Sequence, residues 1–360
     1  MITSSKVARV SETIASQLKG RFILYAPNVH TGGGLVLLKA LLGVIPPGPG
    51  IHLMLDARAR EQITLPPGCN ASWFYPRIGS RWEAEKDLRR HSTSNSLVLC
   101  FHGLPPLFAI DGTVVVFQQN RNLLGLIPLK FFLPRTAIRL GIERLISRLC
   151  RRRVDRYVVQ TPSMARALQD WYGPEPADIR ILPFALPTAS LARSTEAHWD
   201  FVYVADGEAH KNHRGLIEAW VLLARQGLKP SLALTLSGCD TALASWVDEQ
   251  KSTHGLQVCN LGHLPHTEVL ALYSQARALV FPSQSESFGL PLIEARDAGL
   301  PILASELDFV RDVCEPVQSF DPGSPVSIAR AVRRFLGQPE APLRPAGAAE
   351  FLHALMQETQ

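Results

Sequence analysis

In the C-terminal half of the chain, short apolar runs alternate with stretches of helical periodicity. Asp200–Ala205, Ser231–Ser237, Leu256–Leu261, Ala278–Phe281 and Pro301–Ala304 read as strands. His213–Gln226, Thr241–Thr253, His266–Gln275 and Leu290–Ala298 read as helices between them. A strand covered on both faces shows a continuous apolar run, and parallel neighbours need a crossover that is usually helical. The pattern therefore predicts βαβ units and a doubly wound parallel sheet, an α/β fold. The N-terminal half repeats the pattern more roughly. Arg21–Ala26, Ile51–Leu55, Ser96–Phe101, Thr113–Phe117 and Arg156–Gln160 read as strands, and the Gly32-Gly33-Gly34 turn leads into a helix at Leu35–Leu42.

At 360 residues, two domains are the expectation. The stretch Pro183–Asp200 has little periodicity and marks the linker. Two such domains leave a cleft between them, and ligands in these folds bind beyond the C-terminal strand ends. Hydrophobic residues make up 46% and charged residues 19%, which excludes a disordered chain. The six cysteines are widely spaced with no Cys-x-x-Cys pair, so a disulfide framework or zinc site is not expected and a reducing compartment is. Met1–Arg21 has no apolar core of the signal-peptide kind. No run reaches the ~18 apolar residues that span a bilayer, so a soluble or surface-bound protein is expected.

Charge is concentrated in one segment. Residues 121–156 hold ten Lys/Arg and two acids, net +8, while the whole chain is only +5. Within it Ile138, Ile142, Leu145, Ile146 and Leu149 fall on one helical stripe. Two readings stand side by side: a surface helix docked by that stripe, or contact with anionic lipid aided by the Leu123–Leu133 run. Nucleic acid is not expected, because no recognition motif accompanies the charge and the rest of the chain is net acidic.

The segment richest in chemistry is Phe281-Pro-Ser-Gln-Ser-Glu286-Ser-Phe288-Gly289-Leu290-Pro291-Leu-Ile-Glu294. A strand ends at Phe281, a polar loop follows, and a helix opens near Leu290 or Pro291, where a missing proline N–H costs nothing. Free N–H groups at that start, with Gly289 permitting close approach, suit an anion or hydroxyl ligand. Glu286 and Glu294 bring carboxylates to the same strand end, and carboxylates accept pairs of sugar hydroxyls. Taken singly, Glu286 reads as a cap and Glu294 as an exposed helix residue; the combination points to a site.

This arrangement resembles the retaining glycosyltransferases of family 4, with the GT-B fold of two Rossmann-like domains facing a cleft. The resemblance is strong over about 200–305 and weaker from 21 to 190. It implies an N-terminal acceptor-binding domain at 1–190, a nucleotide-sugar domain at 191–340, and a C-terminal helix at 341–360 whose return onto the N-terminal domain is left open. It places Glu286 against the donor sugar, Phe288, Gly289 and Leu290 on hydroxyls and phosphate, and Glu294 on the ribose. Lys211, in Asp206-Gly-Glu-Ala-His-Lys211, matches a lysine on the pyrophosphate. The family's arginine five positions earlier is Asp206 here, so His210, His213 or Arg214 must substitute, or the site is weaker. Gly262, His263 and Leu264 match a turn that reads the base. Gly33 and Gly34 match a loop on phosphates or acceptor. A family histidine near the reacting carbon has its nearest counterpart in Phe117–Asn122, which suggests Asn120; His102 is the alternative, with a plain turn role equally open.

The activity so implied is retaining, metal-independent transfer of a hexose from a nucleoside diphosphate sugar to a glycan or lipid-linked acceptor. No cofactor is expected. Lipopolysaccharide O-antigen-type synthesis on the cytoplasmic face, with 121–156 on an anionic membrane, is the expected setting. The rivals are a nucleotide-sugar epimerase of GT-B fold and a non-catalytic member that binds nucleotide sugar or membrane.

Overall fold

The computed structural model describes residues 21–77, 79–126, 128–129, 134–173, 177–185 and 197–340. The N-terminal part runs β1 (Phe22–Ala26), α1 (Gly32–Leu42), β2 (Ile51–Asp56), β3 (Asn70–Phe74), α2 (Ser80–His91), β4 (Leu97–Cys100), β5 (Thr113–Phe117), α3 (Pro134–Cys150), β6 (Arg156–Val159), α4 (Pro162–Tyr172) and β7 (Asp178–Ile181). The C-terminal part runs β8 (Trp199–Tyr203), α5 (His213–Arg225), β9 (Leu232–Leu234), α6 (Thr241–His254), β10 (Val258–Asn260), α7 (His266–Ser274) and β11 (Ala276–Phe281). It continues with α8 (Leu290–Asp297), β12 (Ile302–Ser305), α9 (Asp308–Arg311), β13 (Gln318–Phe320) and α10 (Pro325–Phe335).

Each part carries one parallel sheet, ordered β3-β2-β1-β4-β5-β6-β7 and β10-β9-β8-β11-β12-β13. The strand order reverses between β1 and β4 in the first and between β8 and β11 in the second, which makes the loops leaving those strands the places for a ligand. Every residue of β1 is buried, as a strand covered on both faces requires. Ile23 and Tyr25 pack on one side with Leu88, Val116 and Leu168. Leu24 and Ala26 pack on the other with Leu38, Leu55 and Phe117.

By proximity the chain forms two compact units. One takes in the described residues up to 193 together with Ser285–Gly299 and Leu307–Glu315; the other holds Ser194–Gln284, Leu300–Glu306 and the described residues from 316. The loop and helix carrying Glu286 and Glu294 thus belong with the N-terminal unit, although they lie between β11 and β12. The linker residues 186–196 and the C-terminal helix assigned to 341–360 lie outside the described residues.

The basic helix departs from one of its two readings. Against the described residues the stripe does not dock: Ile138, Ile142, Leu145 and Leu149 are 66%, 55%, 58% and 71% exposed. α3 instead buries Leu140, Arg144, Ser147 and Cys150. Polar bonds fix that choice. Arg144 Nε donates to the Asn122 carbonyl at 2.9 Å, and the Trp171 indole donates to Ser147 Oγ at 3.3 Å. The Leu123–Leu133 run is also not uniformly exposed, since Leu123 and Leu124 are core residues. Its positions 127 and 130–133 lie outside the described residues.

Candidate functional site

In the C-terminal unit, the loop after β8 is pinned to the end of β11. Tyr203 Oη lies 2.7 Å from the Lys211 carbonyl, to which it donates, and 3.0 Å from Ser283 Oγ. The Gln284 N–H donates to the His210 carbonyl at 2.8 Å. Asn212 adopts a left-handed φ of 60° and its amide donates to the Pro322 carbonyl at 2.7 Å. These bonds fix the backbone that presents Lys211 at the reversal point of the sheet. Gly262, at φ 77°, turns the chain after β10, and its N–H donates to Asn260 Oδ1 at 3.2 Å; His263 and Leu264 follow in that turn.

The expected arginine is Asp206 here, and one of its possible substitutes, His213, is buried. Burial pushes the His213 imidazole down to about 4, against the pull of Asp206 and Asp240, so His213 is neutral near pH 7. It is 2% exposed, and its ring sits 4.8 Å from that of Tyr203. His210 Nδ1 lies 3.3 Å from Glu208, and Arg214 stacks 4.5 Å over Trp246. That leaves His210 and Arg214, of the three residues named as substitutes, and disfavours a charged His213. Burial, which the sequence does not display, removes its charge.

In the N-terminal unit, Gly289 caps α8 with a left-handed φ of 73°, and Pro291 occupies the first turn. Phe288 is buried, while Glu286, Leu290 and Glu294 are half-buried. The segment is held by a residue that sequence reasoning passes over. The Arg121 N–H donates to Ser287 Oγ at 3.0 Å, and its guanidinium donates to the Glu286 carbonyl at 3.1 Å. A Cβ on Gly33 would stand 3.1 Å from Leu290 Cδ1, so glycine lets α1 approach α8 closely.

At the β1/β4 reversal lies a cavity of about 490 Å³. Asn28, His30, Thr31 and Gly34 come from the loop after β1 and the start of α1. His102 follows β4, Gln119 and Asn120 follow β5, and Arg139 and Glu143 come from α3. The sequence names Gly34, His102 and Asn120 here and misses Glu143, which only tertiary structure brings to them. Asn120 Oδ1 also accepts from the Asn122 N–H at 3.0 Å, so this side chain caps its own turn. His102 packs edge-on to Tyr25 with ring centroids 4.9 Å apart. Burial and the charge of Arg81 push it down to about 3, against the pull of the Tyr25 backbone.

Among the described residues His52, Asp87 and His91 bring ligand atoms within 4.8 Å of one another, a grouping the sequence does not suggest. Their polar atoms are engaged internally: His52 Nε2 lies 3.2 Å from Ser72 Oγ, and His91 Nδ1 lies 2.9 Å from the Asp87 carbonyl.

Residues 192–350 match the family model described as Glycosyl transferases group 1. A glycogen synthase of Mycobacterium tuberculosis is 31% identical over 206 residues, covering 55% of this chain and 49% of the relative. The O-antigen chain mannosyltransferase B of Escherichia coli is 32% identical over 118 residues, covering 31% and 30%. The alignments thus span half or less of these relatives' length. The Anabaena HepE structure in complex with UDP and glucose superposes with a TM-score of 0.65 at 16% identity, covering 88% of this chain and 90% of that one. Residues 192–350 are thus similar to the glycosyl transferases group 1 family, and the two parallel-sheet α/β units have the GT-B, Rossmann-like fold.

Proposed function

We propose that this protein is a retaining glycosyltransferase that moves a hexose from a nucleoside diphosphate sugar to a glycan or lipid-linked acceptor. The observation that carries the reading is the Glu286–Glu294 segment: two carboxylates flank a left-handed glycine cap at a helix start, next to a sheet reversal, in a chain similar to the group 1 family. The UDP in the HepE complex supports a nucleotide-sugar donor, and the mannosyltransferase relative supports a hexose and a cell-surface polysaccharide setting.

In this reading Glu294 accepts the ribose hydroxyls and Glu286 lies at the donor sugar. Phe288, Gly289 and Leu290 offer backbone groups to hydroxyls and phosphate. Lys211, the α8 start and the Gly33 and Gly34 N–H groups serve to stabilise the leaving diphosphate, and no metal is required. Gly262, His263 and Leu264 contact the base. Asn120 or His102 faces the acceptor. The leaving phosphate itself takes the acceptor proton, so the route needs no side-chain base.

The exposed stripe of α3 and the net +8 of residues 121–156 favour attachment to an anionic cytoplasmic leaflet. Arg151 and Arg153 contribute less to this than the sequence suggests, because they donate to the carbonyls of Tyr172 and of Pro106 and Leu107.

The test is a panel of nucleoside diphosphates and their sugars, read by thermal shift and by donor turnover with the full chain. Glu294→Ala is expected to weaken nucleotide binding, and Glu286→Ala to lower turnover more than affinity. Wild-type kinetics in both variants would sink the site. Asp206 beside a neutral His213 favours a second reading, binding without turnover; stabilisation by a nucleotide with no hydrolysis or transfer would select it.

A further inference from the structure

A second cluster of chemistry-bearing side chains stands apart from the strand ends that lead into the candidate site. His52 opens β2 just after Ile51, in register with Ile23 of β1 and Asn70 of β3. It therefore lies at the strand starts. Asp87 and His91 occupy the last turns of α2, and positions four apart share one helix face. That face meets β2, so the three side chains converge. Asp87 Oδ2 lies 3.7 Å from His52 Nε2, and Asp87 Oδ1 lies 3.4 Å from His91 Nδ1. The two imidazoles stack with ring centroids 4.1 Å apart and 15° between their planes. One ligand atom from each residue lies within 4.8 Å of the other two.

The internal bonds of these groups leave lone pairs for an ion. A carbonyl only accepts, so His91 Nδ1, 2.9 Å from the Asp87 carbonyl, is the donor, and a neutral His91 keeps its lone pair on Nε2. Metal-ligating histidines characteristically donate their other N–H to a carbonyl or carboxylate, which fixes the tautomer and orients the ring. His52 Nε2 faces Ser72 Oγ at 3.2 Å. A hydroxyl turns its proton freely and can donate or accept, so this contact does not commit the imidazole. Burial and His91 lower the His52 imidazole and Arg21 adds to this, against the pull of Asp87; His52 is thus neutral near pH 7, as ligation requires. All three residues are half-buried, so an ion reaches them from solvent.

Two imidazoles and one carboxylate also select the ion. Magnesium and calcium favour oxygen ligands, and copper(I) favours sulfur. Two nitrogens and one oxygen, with a fourth position left to water, suit zinc. We infer that His52, Asp87 and His91 form a binding site for a divalent transition-metal ion, zinc by its chemistry, that clamps α2 onto β2. α2 is a charged helix whose buried residues are Ser80, Ala84, Glu85 and Leu88, so apolar packing anchors it weakly. A bound ion would supply the missing anchor. The site lies at the strand starts, takes no part in transfer, and stands or falls independently of the transferase reading.

The test is calorimetric titration of the full chain, carrying no histidine tag and treated first with a chelator, with zinc chloride. One zinc per chain is expected, with a dissociation constant in the micromolar range or below, and magnesium is not expected to compete. His91→Gln and Asp87→Asn are each expected to weaken zinc at least about tenfold, since even the loss of an outer partner of a metal ligand typically costs about 10- to 100-fold. Asp87→Asn keeps the shape of its side chain and serves if His91→Gln does not fold. Hydrogen exchange of the α2 amides is expected to slow when zinc is added to the wild type and to stay unchanged in the variants. Absence of stoichiometric zinc binding would overturn the inference. So would zinc binding that neither variant weakens, as from scattered surface histidines, or α2 exchange indifferent to bound zinc.

Discussion

His213→Phe tests whether burial has silenced the imidazole beside Lys211. The phenyl ring keeps the shape and the contact with Tyr203, and it removes two ring nitrogens that are buried without partners. The folded pKa is about 4 and the unfolded value is about 6.5. For a base whose folded pKa is lowered, the unfolded state binds more protons between the two values, so stability falls as pH drops through that window. From pH 7 to pH 5 the single group costs the wild type about 2 kcal/mol. The phenylalanine variant is spared this loss. Other titrating groups, such as Glu85, whose carboxyl burial raises, occur in both proteins and cancel in the difference. Hydrogen exchange of the Val202, Tyr203 and Leu216 amides, corrected for intrinsic rates, reads the opening free energy of this unit. The gap between variant and wild type is expected to widen by about 2 kcal/mol at the lower pH. A gap independent of pH, or an imidazole titrating near 6.5 by NMR, would refute the reasoning.

Two further outcomes follow from the surface and the diphosphate end. Replacing Ile142 and Leu145 by serine is expected to leave stability nearly unchanged, because both are already exposed, and to reduce sedimentation with anionic liposomes at least tenfold; equal sedimentation would remove α3 from the membrane. Wild-type binding itself is expected to fall with added salt and to be weak on neutral liposomes. Asp206→Arg is expected to tighten binding of a nucleoside diphosphate three- to tenfold, about 1 kcal/mol, since the buried, neutral His213 does not supply the charge; a calorimetric titration showing no gain would mean that another cation already serves.

The sequence shows the strands and the opening of α8 clearly, because both depend on local signals: continuous apolar runs, and a Gly-Leu-Pro step that only a helix start accommodates. It is poor at elements whose burial is one-sided. β3 has no buried residue, and α2 is a charged helix that buries Ser80, Ala84, Glu85 and Leu88. Neither carries a legible pattern. For α3 the apolar stripe is visible, but its direction is not. Hydrophobicity favours docking Ile138, Ile142 and Leu145, whereas carbonyl and hydroxyl partners on the neighbouring segments recruit Arg144 and Ser147. The cavity is illegible for a different reason. Its walls come from the ends of five strands and one face of α3, and no spacing in the chain records that Glu143 meets the loop after β1.

Arg121 shows how the readable and unreadable parts join. Sequence reasoning fixes on Asn120 because it looks for a group near the reacting carbon. The structure gives the neighbouring residue the larger polar task. Burial lowers the Arg121 guanidinium from its usual value, while Asp308, Asp312 and Glu286 favour its charge. A guanidinium stays protonated under such a shift, so Arg121 remains a cation in a half-buried setting. Its backbone N–H donates to the Ser287 hydroxyl and its guanidinium to the Glu286 carbonyl. Positive charge is therefore held beside Glu286, where the transferase reading needs it while the donor sugar loses its diphosphate.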